Sequence, residues 1–293
     1  MHLAWAEAPG PLTVKLLFRV GTHDGLSPLA ERRVRSTLWG RDVLYETSPG
    51  RLFTSVRLTG EPDEVWASVD VTCAALAAPT PGLEERARRS LAACPRGSTF
   101  VGDLIEARFG PSPEISGDGW FTLGNVAVWM TAEPPADFAL PLPDGARKPV
   151  EPVRPRPGPL PRRDDFPAID GVAGWSPAAH VAAAVLEARL AGLLRGFVPH
   201  VIVTRLDADL AHVFAGCPCP PGAAQHVRGQ LEAALAAPPT PDELVDHPTA
   251  APTGLDRLDH EARCALIGRA PDHEAVDADA VEAVLAALRA SRV

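Results

Sequence analysis

Rings are scarce in this chain: aromatic residues make up 5% of its 293 positions, with a single tyrosine. Cores built on stacked aromatics are thereby excluded. Ala, Val and Leu must supply the buried surface, within a hydrophobic fraction of 46% that is ordinary for a globular protein. Positive charge is also short, because 28 Lys and Arg stand against 37 Asp and Glu and leave a net charge of -9. A nucleic-acid surface needs basic side chains to displace counterions from phosphates, so none is expected, and neither is an acidic partner. No stretch approaches the ~18 consecutive apolar residues of a membrane span. The opening MHLAWAEAPGPLTVK lacks the basic segment, apolar centre and small-residue cleavage site of a signal peptide. The five cysteines, Cys73, Cys94, Cys217, Cys219 and Cys264, are odd in number and scattered, which excludes the paired framework of a small secreted domain. A soluble protein of the reducing cytoplasm is the expectation.

What is present in excess is proline, 32 residues in all. About a third of them fall in 133–167, EPPADFALPLPDGARKPVEPVRPRPGPLPRRDDFP, a stretch with no periodicity that would bury a face. It reads as an extended linker between an N-terminal half, 1–132, and a C-terminal half, 168–293, each long enough to bury a core.

Both halves alternate strand and helix signals. In the first, Val14, Leu16, Phe18 and Val20 alternate with Thr13, Lys15, Leu17 and Arg19, the period of a strand with one buried face. Residues 42–47 and 51–58 flank Ser48-Pro49-Gly50 and predict a hairpin. Pro62 suits a first helical turn, and Val65, Val69, Cys73 and Leu76 repeat at helical spacing to about residue 77. A second helix is expected over 83–94 and a strand over 125–131. In the other half, a strand at 169–173 precedes Ser176-Pro177, a helix start. Val181, Val185, Leu186, Leu190 and Leu193 then mark a long helix that stops near Gly196. Strands at 200–206 and 210–215 surround the tight turn Asp207-Ala208-Asp209, and helices follow near 223–237, 255–267 and 277–291. The fold class expected is α+β: two related α/β sandwich halves, with antiparallel-rich sheets and helices on one face, joined by the Pro-rich linker.

The run VKLLFRVGTHDGLSPLAER resembles the first strand and active-site helix of the pitrilysin/insulinase-like metallopeptidases, the inverzincins, whose helix carries H-x-x-E-H. In that register Pro28 occupies the first histidine position, Glu31 the glutamate position and Arg32 the second histidine position. The order of further segments extends the resemblance over most of the chain. TSVRLTGEPDEVWASVDVTCAAL resembles the family's strand-Gly-helix unit, LEERARRSLAA the helix bearing the third zinc ligand, and FTLGNVAVWMTAEPP the last strand before the linker. SPAAHVAAAVLEARLAGLLRGF and GLDRLDHEARCALIGRAP resemble helical regions of the second half.

The resemblance implies a family fold without the family chemistry. A catalytic zinc needs three protein ligands and an open position, whereas Pro28 has no donor atom and Arg32 is a cation. The third position falls at Leu91, Ala92 and Ala93. No metal and no cofactor are expected, and without a metal-bound water Glu31 has nothing to activate. Active members use an Arg and a Tyr of the second half to hold the substrate carbonyl. Here Arg195 is kept, Pro199 stands at the Tyr position and the adjacent His200 can donate, so Arg195 and His200 are the candidate substrate-binding residues. The region between Cys94 and Phe121 is expected to be shortened.

Other constellations have plainer readings. Asp207, Asp209 and His212 have the spacing of a cation site, but on a tight hairpin Asp bonds the turning backbone. Cys217-Pro218-Cys219 reads as two free thiols. Ser176 and His180 lie one helical turn apart without a G-x-S-x-G elbow around the serine. The chemistry therefore points to a catalytically inactive, peptidase-like subunit that forms a dimer, with itself or with a zinc-bearing homologue, or binds a peptide in a shared cavity. The alternatives are a structural scaffold without a peptide ligand and a metal-free biosynthetic enzyme reusing the chamber.

Overall fold

The computed structural model describes all residues except 25, 27, 94–105, 111–118, 155, 157–162, 246–253, 272–275 and 291–293. The chain packs as two compact units. The first holds residues 1–98, 112–150 and 252–271, the second 99–111, 151–251 and 272–293. The expected α+β class is the class observed.

In the first unit, strands β1 (His2–Trp5), β2 (Leu12–Phe18), β3 (Val43–Pro49), β4 (Thr54–Gly60) and β5 (Val126–Met130) form a sheet in the order β1-β5-β2-β4-β3. All its pairings are antiparallel except that of β1 with β5. The expected alternation of β2 is present, with Val14 opposite Leu58 and Leu16 opposite Val56 on β4. One face carries helices α1 (Pro28–Leu38) and α2 (Pro62–Ala77). Val14, Leu16, Phe18, Val56, Leu58, Val128 and Met130 of the sheet are buried there against Ala30, Val34, Leu38, Val65, Val69 and Cys73. Helix α3 (Pro81–Ala93) packs on α1. Burial and the nearby Asp70 charge push the Cys73 thiol up to about 12, so it is an inert packing group.

The opposite face of β2 and β5 is not left open. A helix from late in the sequence, Gly254–Ile267, lies over it, and Leu258, Ala262 and Leu266 pack on Leu17, Ala127 and Trp129. The packing division therefore does not follow the order of the chain. Asp259 fastens that helix to the sheet by a 2.6 Å ion pair with Lys15 and a 2.9 Å hydrogen bond from Trp129 Nε1. Burial alone would raise the Asp259 carboxyl, but the charge of Arg263 and the bonds from Lys15, Trp129 and Arg263 outweigh it and bring the pKa to about 2. A carboxylate depressed on folding stabilises the fold above its unfolded pKa and ceases to do so as pH falls through the folded value. Urea unfolding from pH 5 to pH 2 should thus lose stability mostly below about pH 4. Asp259→Asn should flatten that acid limb; an unchanged limb would remove Asp259 from the account.

Among the described residues of 133–167 there is no helix or strand before residue 168, in keeping with the proline content. The segment is nevertheless not only a spacer, because Leu140 and Leu142 are buried in the core of the first unit. Residues 155 and 157–162 of it lie outside the described residues.

In the second unit, β6 (Ala168–Gly174), β7 (His200–Arg205) and β8 (Leu210–Gly216) form an antiparallel sheet in the order β6-β8-β7. Ala211, Val213 and Ala215 of β8 face a core with helices α4 (Pro177–Leu193), α5 (Ala224–Ala236) and the chain's last helix, Ala278–Ala290. A short helix, Pro241–Val245, is tied to α4 by the Arg189–Glu243 pair at 2.6 Å.

Candidate functional site

The site implied by the sequence begins where β2 ends. Arg19, fully buried, makes a two-pronged pair with Asp24 at 2.6 and 3.2 Å and donates to the carbonyls of Leu52 and Pro149. Asp24 also accepts from Gly21 N at 2.9 Å. Asn125 locks the other side of the turn: its amide donates to the carbonyls of Arg19 and Trp120, and its oxygen accepts from Lys148 N. The Arg19–Asp24 bonds are charge-assisted, the strong class, and the Asn125 bonds are neutral. They fix the path by which the chain leaves the sheet and enters α1.

Helix α1 starts at Pro28, where the missing N–H costs nothing. Glu31 faces inward and is buried, and its Oε1 takes the Arg35 guanidinium at 2.9 Å and the Thr47 hydroxyl at 3.5 Å. Arg32 is half-buried beside it. A proline with no side-chain donor atom, a carboxylate already bonded to an arginine, and a second arginine do not make a zinc ligand set. Gly25 and Ser27, which flank the motif, lie outside the described residues, and so does most of the region between Cys94 and Phe121. Among the described residues there is no group of three His, Cys, Asp or Glu placed to hold a metal ion.

The third ligand position was expected at the end of α3, where Leu91 is half-buried and Ala92 and Ala93 are exposed. A different residue of that helix meets α1. Glu84 bonds Arg33 Nε at 2.6 Å, and the Arg33 hydrogen bond holds its carboxyl below the usual range against the opposing effect of burial. The sequence signal for this pair is faint: acidic and basic residues crowd both PLAERRVR and LEERARR, without indicating which of them meet.

In the second unit, Arg195 is exposed just past the end of α4, where Gly196 turns the chain at φ 89°. His200 is exposed at the start of β7 and stacks on Phe166 at 6.2 Å. Asp207 does the turn chemistry expected of it, accepting from the amides of Asp209, Leu210 and Val153 at 2.7–2.8 Å. His212 faces away from that turn and pairs with Asp170 at 2.8 Å, with Arg108 on the other Asp170 oxygen at 3.4 Å. Ser176 occupies the N-cap of α4 without a side-chain cap bond, and His180 lies edge-on to Trp175 at 5.0 Å. Cys217 and Cys219 are free and buried.

No protein-family model matches the chain, and no curated protein does. Solved structures do match. The inactive domain of a peptidase M16 from Pseudomonas fluorescens is similar at TM-score 0.62 and 12% identity, over 97% of this chain and 90% of that one. A protease from Helicobacter pylori is similar at TM-score 0.63 and 11% identity, over 97% and 93%. Pitrilysin matches at TM-score 0.56 and 13% identity over 98% of this chain, which spans 42% of pitrilysin's length. The fold is therefore that of M16 peptidase-like proteins.

Proposed function

We propose that the chain is a catalytically inactive, metallopeptidase-like subunit that pairs with a zinc-bearing homologue or with itself, or binds a peptide. The observation that carries this reading is the state of α1. The helix is in place and its entry turn is rigidly bonded, yet its motif positions are Pro28, an arginine-bound Glu31 and Arg32. The likeness to a domain described as inactive supports the same reading. No helix among the described residues is long and apolar enough to cross a membrane, and the buried free thiols suit a reducing compartment such as the cytoplasm.

A peptide has an edge to add to, since β3 ends the first sheet. Exposed Arg195, with His200, serves in this proposal as a clamp for a carbonyl or an anion. The test is co-purification from the native host followed by sedimentation. A dimer or a heterodimer with an H-x-x-E-H homologue is expected, through an interface on the order of 1,000 Å² or more. Arg195→Glu should leave the circular dichroism unchanged while weakening the bound peptide or partner severalfold. Sedimentation as a monomer at micromolar concentration, with nothing captured, would remove the subunit reading.

A further inference from the structure

Strand β6 holds in the second unit the place that β2 holds in the first. Each opens a run of strand, helix, hairpin and helix, β2-α1-β3-β4-α2 in one unit and β6-α4-β7-β8-α5 in the other. Each also pairs antiparallel with the second strand of its hairpin, so the orders β2-β4-β3 and β6-β8-β7 correspond. The two units differ on the far side of that first strand. There β2 takes β5 as an antiparallel neighbour, whereas among the described residues β6 has no strand beyond it.

The hydrogen bonds at the two ends of β6 show which of its main-chain groups face outward. Cys217 N donates to the Pro167 carbonyl and Trp175 N to that of Asp209, in the register that places Ile169, Gly171 and Ala173 opposite Ala215, Val213 and Ala211. Odd-numbered residues therefore bond β8. In an antiparallel ladder the alternate residues turn their N–H and C=O groups away, which leaves those of Ala168, Asp170, Val172 and Gly174 on the outer edge. Ala168 and Val172 are half-buried there, and Gly174 is exposed. The chain's last helix packs from the helix side, in the core that also holds Ala173 and Ile169. The Asp170 carboxylate lies on the opposite face, held by His212 and Arg108, and so presents no free charge to a strand alongside.

Resting on the self-pairing form of the proposed function, we propose that the occupant of this edge is β6 of a second copy, laid antiparallel across a twofold axis at Gly171. An unpaired edge is a template for another chain, and a twofold contact brings the same patch to itself. This axis uses all seven residues of the strand. It sets Ala168 opposite Gly174 of the second copy and Asp170 opposite Val172 of the second copy, each pair exchanging two bonds, about eight in all. Helix-side residues then meet helix-side residues, and the axis falls on a residue with no side chain, where the two strands come closest. An axis on Asp170 would instead set two carboxylates opposite each other, which is unfavourable. The two three-stranded sheets become one.

The experiment uses the intact chain, first in sedimentation from 1 to 100 μM. A dimer is expected. Val172→Pro removes an N–H that bonds only the second copy, a position where an edge strand tolerates proline. The dimer contains this position twice, so its dissociation constant should rise roughly tenfold or more while circular dichroism is unchanged. The register is read separately by cross-linking with oxidised glutathione. Ala168→Cys/Gly174→Cys should give a reducible dimer on a denaturing gel, and neither single variant should exceed the parent, because each cysteine faces a different residue number across the axis. Within one chain the two positions are roughly 20 Å apart and cannot bond each other. A dimer that withstands Val172→Pro and yields no cross-link specific to the double variant would overturn the proposal and leave the subunit reading standing, since the copies would then meet through another face. A monomer at every concentration overturns the proposal as well. If that monomer also captures no homologue from its host, the subunit reading falls with it.

Discussion

Asp24→Ala should destabilise the first unit by about 3–5 kcal/mol, because it strands the Arg19 guanidinium in the interior with its charge unpaired. Arg19 is fully buried and the Asp24 side chain is 5% exposed. Water cannot replace the lost carboxylate without opening the turn, and the Leu52 and Pro149 carbonyls that remain offer no compensating charge. The loss is a large share of the ~5–15 kcal/mol typical of a folded domain. Asp24→Asn keeps an acceptor for Gly21 N but removes the charge, so its cost should fall between that of alanine and zero. Urea titrations of the three proteins decide the matter. A cost under about 1 kcal/mol for Asp24→Ala would mean that the pair contributes little to the fold.

Gly21→Ala should be nearly as damaging, for a steric reason. A Cβ at this position would lie 2.0 Å from the Arg51 carbonyl oxygen and 2.6 Å from that of Gly50. Both are main-chain atoms, so no rotamer change relieves the overlap. Residues 50 and 51 would have to move, and with them the bonds that Thr22 N and His23 N make to the same two carbonyls at 3.0 and 2.9 Å. Overpacking plus two weakened hydrogen bonds amounts to about 3–4 kcal/mol. The same titration measures it, and near-wild-type stability would show that the 50–51 loop yields easily.

Much of the fold was legible because its strands and helices obey simple periods. The alternation of Val14, Leu16 and Phe18 and the helical spacing of Val65, Val69 and Cys73 each place one face in a core, and each face is buried there. Strand β1 was not legible. Its four residues HLAW are half exposed and pair in parallel with a distant strand, a context that local pattern does not encode. The helix Gly254–Ile267 was visible as a helix, but amphipathic spacing does not say which sheet it covers; its partners Leu17 and Trp129 lie more than a hundred residues earlier. Likewise, proline content marked 133–167 as irregular while concealing that Leu140 and Leu142 are core residues.

At the candidate site, the register of the motif fell on a helix with Pro28 at its start and Glu31 turned inward. What stayed hidden were pairings between elements: Arg33 with Glu84, Arg19 with Asp24, His212 with Asp170. Such pairs depend on where side chains from separate elements converge, which residue type alone does not fix.

The central claim is that α1 has exchanged metal chemistry for arginine contacts, and the metal content of the intact chain tests it most directly. Protein purified without chelator, incubated with excess zinc and desalted, should retain well under one zinc per chain by elemental analysis, and its cleavage of a quenched-fluorescence peptide library should stay at the level of buffer. About one zinc per chain, retained through desalting and lost in Glu31→Gln, together with chelator-sensitive peptide cleavage, would contradict the account.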